Sequence, residues 1–267
     1  MITFYDNDLS TCAQKVRLLL NEKEADWETI WLDLRAGDQK TPDYMALNPK
    51  GVVPTIVDDG KVIVESNNIL FYLDEKLGET RLIGDDPLER HRTRSWLLDL
   101  DVEMHAAIGA LSVGIAFRHD YIERGPEVIA RHLTGTPDPA RRERWKEAIE
   151  KGTATPQFEH ALGRWLKTLD RMDELLAERP WLNGDRLGLI DIAYAPYATR
   201  LEQLGIIALR QPAVSRVVDW LARLQSRPAY RAAITDVVAP EKIARLHRFA
   251  ALERANLADL INRYGSA

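Results

Sequence analysis

Cysteine is nearly absent from this chain, because only Cys12 among the 267 residues carries a thiol. A single cysteine cannot form an intramolecular disulfide or a cysteine-built zinc site, and it is typical of a reducing compartment. Long apolar runs are also missing, since no stretch approaches the ~20 residues of a membrane span. The chain opens on strand-like residues, with no charged segment leading into an apolar one. We therefore expect a complete cytoplasmic protein with no membrane partner.

Basic residues are also fewer than acidic residues. The chain has 36 Lys and Arg residues against 41 Asp and Glu residues, which leaves a net charge of −5. Nucleic-acid binding requires a basic face, so we predict no nucleic-acid partner. The basic cluster at 141–144 is interrupted by Glu143 and is typical of a solvated helix face. His105, His119 and His132 are too widely spaced for a clustered metal site, and we predict no metal.

Two domains are predicted from the change of pattern along the chain. Residues 1–79 follow the order βαβαββα, with elements at 1–5, 12–23, 27–32, 43–47, 54–57, 62–64 and 66–77. Residues 87–267 are predicted to be all-α, with helices at 87–121, 156–177, 189–204, 213–225, 229–236 and 241–264. The boundary lies in the polar loop 78–86. Residues 125–155 form a polar segment interrupted by Gly and Pro residues, and no helix is predicted there.

Glu65 and Ser66 follow the strand predicted at 62–64 and open an apolar helix. Ser66 would lie where the helix begins, with free backbone N–H groups and partial positive charge directed at a carboxylate. Glu65 could bind an ammonium group on the same ligand. Such a pair suits an α-amino acid head, as in glutathione. The simpler alternative is that Ser66 only caps the helix and Glu65 is a solvated acid.

A second motif stands upstream, where the turn at 48–52 leads to Val53-Pro54, with proline at the first residue of a strand. Together with Glu65-Ser66, it resembles the glutathione S-transferases, whose N-terminal domain carries a cis Val-Pro peptide followed by a Glu-Ser pair. The resemblance implies an α/β thioredoxin-like N-terminal domain, an all-α C-terminal domain, a homodimer, and glutathione as co-substrate.

The same resemblance assigns glutathione contacts. The backbone of Val53, before Pro54, would hold the cysteinyl part, while Glu65 and Ser66 would hold the γ-glutamyl end. Gln39 and Lys40 would reach the glycyl carboxylate, although ordinary loop residues need no such role. Lys50 resembles a basic or polar contact of the same loop.

Three neighbouring residues compete for the catalytic role at the start of the first helix. Counted back from Val16-Arg17, Ser10 matches the catalytic serine of theta-like and zeta-like transferases, which donates its hydroxyl proton to the glutathione sulfur. Thr11 would serve if the helix begins one residue later. Cys12 resembles the cysteine of the zeta-like Ser-Ser-Cys-Ser stretch; alternatively, it is only a small side chain packed on the sheet. Ser10, alternatively, only caps the helix.

The second substrate is less defined by the sequence. Helical spacing on the first long helix gives one set of candidate contacts with a hydrophobic electrophile. They are Met104, His105, Ile108, Leu111, Ser112 and Ile115. The length and polar character of segment 125–155 resemble the insertion of bacterial β-aryl-ether-cleaving transferases.

The resemblance predicts a transferase that activates the glutathione thiolate for attack on an electrophilic carbon. Reductive ether cleavage, dehalogenation and isomerisation remain open. A non-catalytic interaction protein with this fold is the alternative from another class. A disulfide-handling role for Cys12 is a third, although the chain has no Cys-x-x-Cys pair.

The stretch 181–193 also resembles a capping motif that opens a buried helix in the helical domain of the family. Gly188 stands where the family has Ser or Thr, and Asp191 follows three residues later. Glycine at an N-cap costs only a few tenths of a kcal/mol relative to serine, so the fold prediction is unaffected. We expect Asp191 to be structural.

Overall fold

The computed structural model describes residues 1–78, 80–136 and 138–265. Residue 79, at which the first predicted domain ends, lies outside the described residues, as do Pro137 and the C-terminal residues 266 and 267. The chain forms two compact units. The first comprises Met1–Leu98, Arg179–Tyr197 and Trp220–Val238, and the second comprises Asp99–Glu178, Ala198–Asp219 and the residues from 239 onward. The domain boundary between residues 79 and 87 stays a prediction.

The first unit contains a mixed four-stranded sheet with the strand order β2-β1-β3-β4. Its strands are β1 Ile2–Asp6, β2 Trp27–Trp31, β3 Thr55–Asp58 and β4 Lys61–Val64. Strands β1 and β2 are parallel, whereas β3 is antiparallel to both β1 and β4. The two-residue turn between β3 and β4 has positive φ at Asp59 (48°) and Gly60 (78°), which matches the twist of a tight hairpin.

Three helices complete the first part of the chain. They are α1 Thr11–Glu22, α2 Pro42–Leu47 and α3 Ser66–Lys76. Helix α1 makes the crossover that two parallel strands require. The side chains of Val16, Leu19 and Leu20 on α1 are fully buried. The element order confirms the predicted βαβαββα arrangement of a thioredoxin-like domain.

A buried ion pair joins the end of β1 to α1. The Arg17 guanidinium donates to both carboxylate oxygens of Asp6, at 2.8 and 3.0 Å, and to the backbone oxygen of Ala233 at 2.7 Å. Burial raises the pKa of Asp6 above its usual range, although Arg17 opposes this. The pair fixes the direction in which the chain leaves the sheet and enters α1.

After β4 the described residues form helices and one isolated bridge between Trp181 and Gly184, so the predicted all-α C-terminal part is confirmed. The helices are α4 Pro87–Asp99, α5 His105–Ser112, α6 Arg118–Arg124, α7 Pro126–Thr134, α8 Pro139–Lys151, α9 Pro156–Leu176, α10 Leu189–Gln203, α11 Ile206–Arg210, α12 Ser215–Gln225, α13 Pro228–Tyr230 and α14 Pro240–Gly265. Wider π-helical turns occur at Leu100–Met104, Val113–Phe117 and Arg231–Thr235.

The segment 125–155, for which no helix was predicted, contains α7 and α8. Each of these helices begins with a proline, at Pro126 and Pro139, and the Asp138 side chain caps α8 by accepting from the Ala140 N–H at 2.9 Å. Helix α8 is strongly polar, whereas α7 carries Val128, Ile129 and Leu133. Val128 and Ile129 of α7 and Trp145 of α8 pack against a small buried cluster of the second unit formed by Val113, Tyr121 and Ile149, the last of which belongs to α8. Tertiary packing therefore stabilises α8, whose own pattern is too polar to predict it, while the apolar residues of α7 were a signal in the sequence that was missed.

The capping motif around Asp191 lies in the first unit. The Asp191 carboxylate is fully buried and accepts hydrogen bonds from the backbone of Leu182 (2.7 Å) and Gly188 (3.0 Å) and from Trp220 Nε1 (2.8 Å). A Cβ atom at residue 188 would lie only 2.2 Å from the Asn183 side chain. Lack of space therefore explains the glycine at the position where the resemblance leads one to expect a hydroxyl residue.

One helical segment of the described chain, Pro87–Arg124, is long and apolar enough to cross a membrane by length and composition. The prediction that no stretch approaches a span was therefore wrong by this measure. Within the protein, 56% of its most apolar window is buried. Core helices of soluble proteins have the same composition, so this segment does not establish a membrane span.

Candidate functional site

Ser10 lies at the N-terminus of α1 as its N-cap residue. Its backbone is extended (φ −73°, ψ 115°), and its Oγ accepts a hydrogen bond from the Ala13 N–H at 3.3 Å. The residue is half-buried. A capping hydroxyl uses an oxygen lone pair and keeps its own hydrogen, so Ser10 can cap the helix and still donate to an anion. The capping and catalytic roles of Ser10 are therefore compatible.

The two neighbours of Ser10 have different environments. Thr11 is the first residue of α1 and is 6% exposed, so it is more buried than Ser10. Cys12 is half-buried, and its Sγ lies 3.6 Å from the hydroxyl oxygen of Tyr197. The assignment of the thiolate contact to Ser10 stays a prediction.

The Val53–Pro54 peptide bond is cis, as the resemblance implied. The loop before it is held from within the first unit at the Val52 carbonyl oxygen. This oxygen accepts from the Tyr44 hydroxyl at 2.6 Å and from Asn48 Nδ2 at 2.9 Å. Burial raises the pKa of Tyr44 above its ordinary value, so its hydroxyl remains a donor also at alkaline pH. These bonds order the backbone on which the predicted cysteinyl contact depends.

Ser66 is the first residue of α3 and is 8% exposed, whereas Glu65 occupies the N-cap position. The backbone of Glu65 has φ +66°, a left-handed value that is uncommon outside glycine, asparagine and aspartate. Its carboxylate makes no capping bond to the helix. Instead, Glu65 Oε1 accepts from Lys50 Nζ at 2.6 Å. Two predicted glutathione contacts therefore pair with each other in this structure.

Gln39 and Lys40 belong to a short 3₁₀ turn at Asp38–Lys40. Gln39 Nε2 donates to the Leu34 carbonyl oxygen at 3.1 Å, so its amide faces its own loop. The backbone of Gly51, at φ +57°, approaches this turn closely. A Cβ atom there would lie 3.0 Å from both the Gln39 carbonyl oxygen and Lys40 Nζ. Gly51 thus brings the Gln39–Lys40 turn close to the loop that contains Lys50.

The six residues predicted to contact the electrophile do not share one environment. Five of them are at most 3% exposed and lie in the interior of the second unit, namely Met104, Ile108, Leu111, Ser112 and Ile115. His105 is exposed. Ser112 Oγ accepts from Arg200 Nη1 at 3.4 Å, and Arg200 is itself 3% exposed. The π-helical turns on either side of α5 shift the helical spacing on which the prediction relied.

Two buried polar residues near the site were missed in the sequence. Lys15 is fully buried in α1, and its Nζ donates to Oδ1 of Asn67, which is 1% exposed. The signal was present, because Lys15 lies four residues before Leu19 and four after Thr11, on the buried face of α1. A lysine on such a face requires a polar partner.

Among the described residues there is no group of three or more His, Cys, Asp and Glu side chains that could hold a metal ion. No metal therefore enters the description of this site.

Comparison with known protein families gives two matches. The model of the glutathione S-transferase N-terminal domain matches residues 9–76, and that of the C-terminal domain matches residues 139–224. Together they cover more than half of the chain. The first match contains Ser10, Val53, Pro54, Glu65 and Ser66.

Individual relatives agree with these matches. Glutathione S-transferase GstB from Escherichia coli K12 is 29% identical over 233 residues, which cover 86% of this chain and 96% of that protein. The theta-class glutathione S-transferase from Xanthomonas axonopodis pv. citri, solved with glutathione bound, has a TM-score of 0.62 and 26% identity, covering 87% of this chain and 96% of its own.

The β-etherase LigF from Sphingobium sp. strain SYK-6 has a TM-score of 0.74, with 87% of this chain and 98% of its own covered, and its 21% identity indicates a shared fold alone. From the two matched domain models, the fold and these relatives, we conclude that this chain belongs to the glutathione S-transferase family.

Proposed function

We propose that this protein is a glutathione transferase that binds glutathione in its first unit and activates the thiolate for attack on a hydrophobic electrophile. The observation that carries the proposal is Ser10, an N-cap residue whose hydroxyl accepts from Ala13 and retains a hydrogen for donation. Family membership supports glutathione as the co-substrate, because the Xanthomonas relative was solved with glutathione bound.

The energetics support this role for Ser10. A free thiol has a pKa of ~8.5, and lowering it by two units requires about 2.7 kcal/mol of preferential thiolate stabilisation. A hydrogen bond to a charged group contributes roughly 1.5–3 kcal/mol, and a helix N-terminus contributes ~0.3–2 kcal/mol. Ser10 at the start of the 12-residue helix α1 combines both sources. One hydroxyl in this position is therefore sufficient in magnitude.

The γ-glutamyl end of glutathione is proposed to bind at the N-terminus of α3. Ser66 begins this helix, and its first N–H groups lack intrahelical partners, which favours a carboxylate. Glu65 is 44% exposed at its side chain and available to an ammonium group that displaces Lys50. Val53, Gln39 and Lys40 complete the proposed contacts with the cysteinyl and glycyl parts.

Titration calorimetry with glutathione, followed by conjugation assays with an aryl halide, an epoxide and a β-aryl ether, tests the proposal. We expect saturable one-to-one binding and release of the leaving group from at least one electrophile. Binding without turnover of any electrophile would favour the non-catalytic interaction protein. Absence of glutathione binding would contradict the proposed function. Released halide identifies dehalogenation, released phenol identifies ether cleavage, and isomerisation is assayed separately with a cis-alkene conjugated to a carbonyl group.

A homodimer is also proposed. The proposal is supported by the family resemblance, which implies a homodimer, and by the apolar side chain of Leu98, which is 60% exposed near the end of α4. Sedimentation should give about twice the 30.4 kDa mass of one chain, and Leu98→Glu should shift the protein toward the monomer. Leu252→Glu, at an exposed leucine of α14, is the control. A wild-type monomer at micromolar concentration would contradict the dimer.

A further inference from the structure

Lys15 has no exposed side-chain surface, although it carries an ammonium group. Its Nζ donates to Asn67 Oδ1 at 2.5 Å, and Asn67 is 1% exposed. Asn67 in turn donates through Nδ2 to the backbone oxygen of Leu97 at 2.7 Å. Burial of an ammonium group is expensive unless hydrogen bonds replace its water. A bond of this kind in the interior is directional and holds both partners in place.

The positions of the two residues give this bond a consequence for the site. Lys15 lies one turn after Thr11 in α1, the helix that Ser10 caps. Asn67 directly follows Ser66 in the first turn of α3. The bond therefore joins the N-terminal part of α1 to the first turn of α3, through two residues that are 52 positions apart in sequence. These two helix starts carry the proposed thiolate contact and the proposed γ-glutamyl contact.

The Tyr197 ring provides a second contact for Lys15. Its Nζ lies 5.9 Å from the centre of the Tyr197 ring, and the Tyr197 hydroxyl oxygen is 3.6 Å from Cys12 Sγ. Tyr197 is itself fully buried. Lys15 therefore lies against the Tyr197 ring of α10 as well as Asn67 of α3.

We propose that Lys15 is a positioning residue for glutathione. It acts through Asn67, which it holds so that the N–H groups at the start of α3 stay at the separation from Ser10 that one glutathione molecule spans. This inference rests on the proposed function, because it assumes that glutathione occupies both helix starts. It adds to that proposal a buried lysine and a buried asparagine that do not contact the ligand.

A positioning role predicts a split between binding and thiol ionisation. Loss of the Lys15–Asn67 bond should weaken glutathione binding, because the two contacts no longer have the correct separation. The pKa of the bound thiol should change little, since Ser10 and the start of α1 remain intact. An electrostatic role of the ammonium group would give the opposite pattern, with a higher thiol pKa at an unchanged affinity.

The test compares Lys15→Met, Asn67→Ala and the double variant with Asn68→Ala as the matched control, because Asn68 is the exposed neighbour in the same helix turn. Calorimetry should show glutathione binding about tenfold weaker in each single variant, the loss expected for one hydrogen bond. The double variant should be no weaker than the weaker single variant, because both changes remove the same bond. Asn68→Ala should bind like the wild type.

The absorbance of the bound thiolate, followed against pH, provides the second readout. Its midpoint should be the same in the wild type and in Lys15→Met. Methionine retains most of the side-chain length without the buried charge, so we expect this variant to fold. If Asn67→Ala does not fold, the glutathione affinity of Lys15→Met alone decides the outcome.

Unchanged glutathione affinity in folded Lys15→Met would overturn the inference, and so would a raised thiolate midpoint at unchanged affinity. Both outcomes leave the proposed function in place, because the wild type still binds glutathione. A wild type that does not bind glutathione would instead remove the proposed function and this inference with it.

Discussion

Lys50 and Glu65 form an ion pair, with 2.6 Å between Nζ and Oε1, although both were assigned to glutathione from the sequence. Their side chains are 68% and 44% exposed. An exposed pair of this kind contributes about 0–1 kcal/mol, so the ammonium group of a ligand can replace Lys50 at little cost.

The first prediction separates the two members of this pair. Glu65→Ala should weaken glutathione binding by about 1–3 kcal/mol, the cost of removing a hydrogen bond to a charged group. Lys50→Met should change the free energy of unfolding by less than about 1 kcal/mol, since the pair is exposed. Calorimetry and denaturant unfolding measure the two effects. Equal glutathione affinity in Glu65→Ala and Ser66→Ala variants and in the wild type would remove the proposed γ-glutamyl site.

The second prediction concerns the thiolate contact. Ser10→Ala should raise the pKa of the bound thiol and lower kcat/KM by about 30- to 150-fold at neutral pH, which corresponds to roughly 2–3 kcal/mol. Glutathione affinity should fall less, because the other contacts persist. The defect should shrink as the pH rises toward the free thiol pKa.

Thr11→Ala and Cys12→Ser are the matched controls for Ser10, and both should be mild. Thr11 is almost fully buried, and the Cys12 thiol lies against the Tyr197 hydroxyl. If thiolate absorbance survives in Ser10→Ala and is lost in either control variant, the role belongs to that neighbour of Ser10 instead.

The third prediction uses two glycines with positive φ. Gly51→Ala should destabilise the protein by about 1–2 kcal/mol for the left-handed backbone. It should also displace the Gln39–Lys40 turn, because the new Cβ would lie 3.0 Å from the Gln39 carbonyl oxygen. Gly60→Ala has the same energetic cost of a left-handed backbone, at φ +78°, but its new Cβ would meet no atom within 4 Å. Only Gly51→Ala should weaken glutathione binding, and equal affinity in both variants would exclude a role for that turn.

The fourth prediction concerns stability against pH. Burial raises the pKa of Asp191 to about 6, opposed by hydrogen bonds from Trp220 and from the backbone. Because the native state then holds a proton that the unfolded chain has lost, the contribution of Asp191 to stability falls as the pH rises from about 4 to 6. The difference in unfolding free energy between the wild type and Asp191→Asn should decrease over this range by up to about 3 kcal/mol. A difference independent of pH would contradict the raised pKa.

Much of the fold could be predicted from local chemistry in the sequence. The two-residue turn at Asp59–Gly60, the alternating burial of β1 and the buried spacing of α1 depend on residues close together in the chain. Pro54, the N-cap residue Ser10 and the first residue of α3, Ser66, are local features of the same kind. Such signals act over a few residues and are therefore readable before any tertiary contact forms.

The remaining features required the tertiary structure. Lys15 and Asn67 are separated by 52 residues, and Lys50 and Glu65 by 15, so their pairing depends on how the sheet brings the loops and helices together. Helices α7 and α8 form where Val128, Ile129 and Trp145 pack with Val113, Tyr121 and Ile149. Helical spacing grouped Met104 with His105, but packing buries the first and exposes the second. The sequence alone determined the residues at the starts of α1 and α3, and only the fold decided which buried and charged side chains meet, because those contacts join segments that are far apart in the chain.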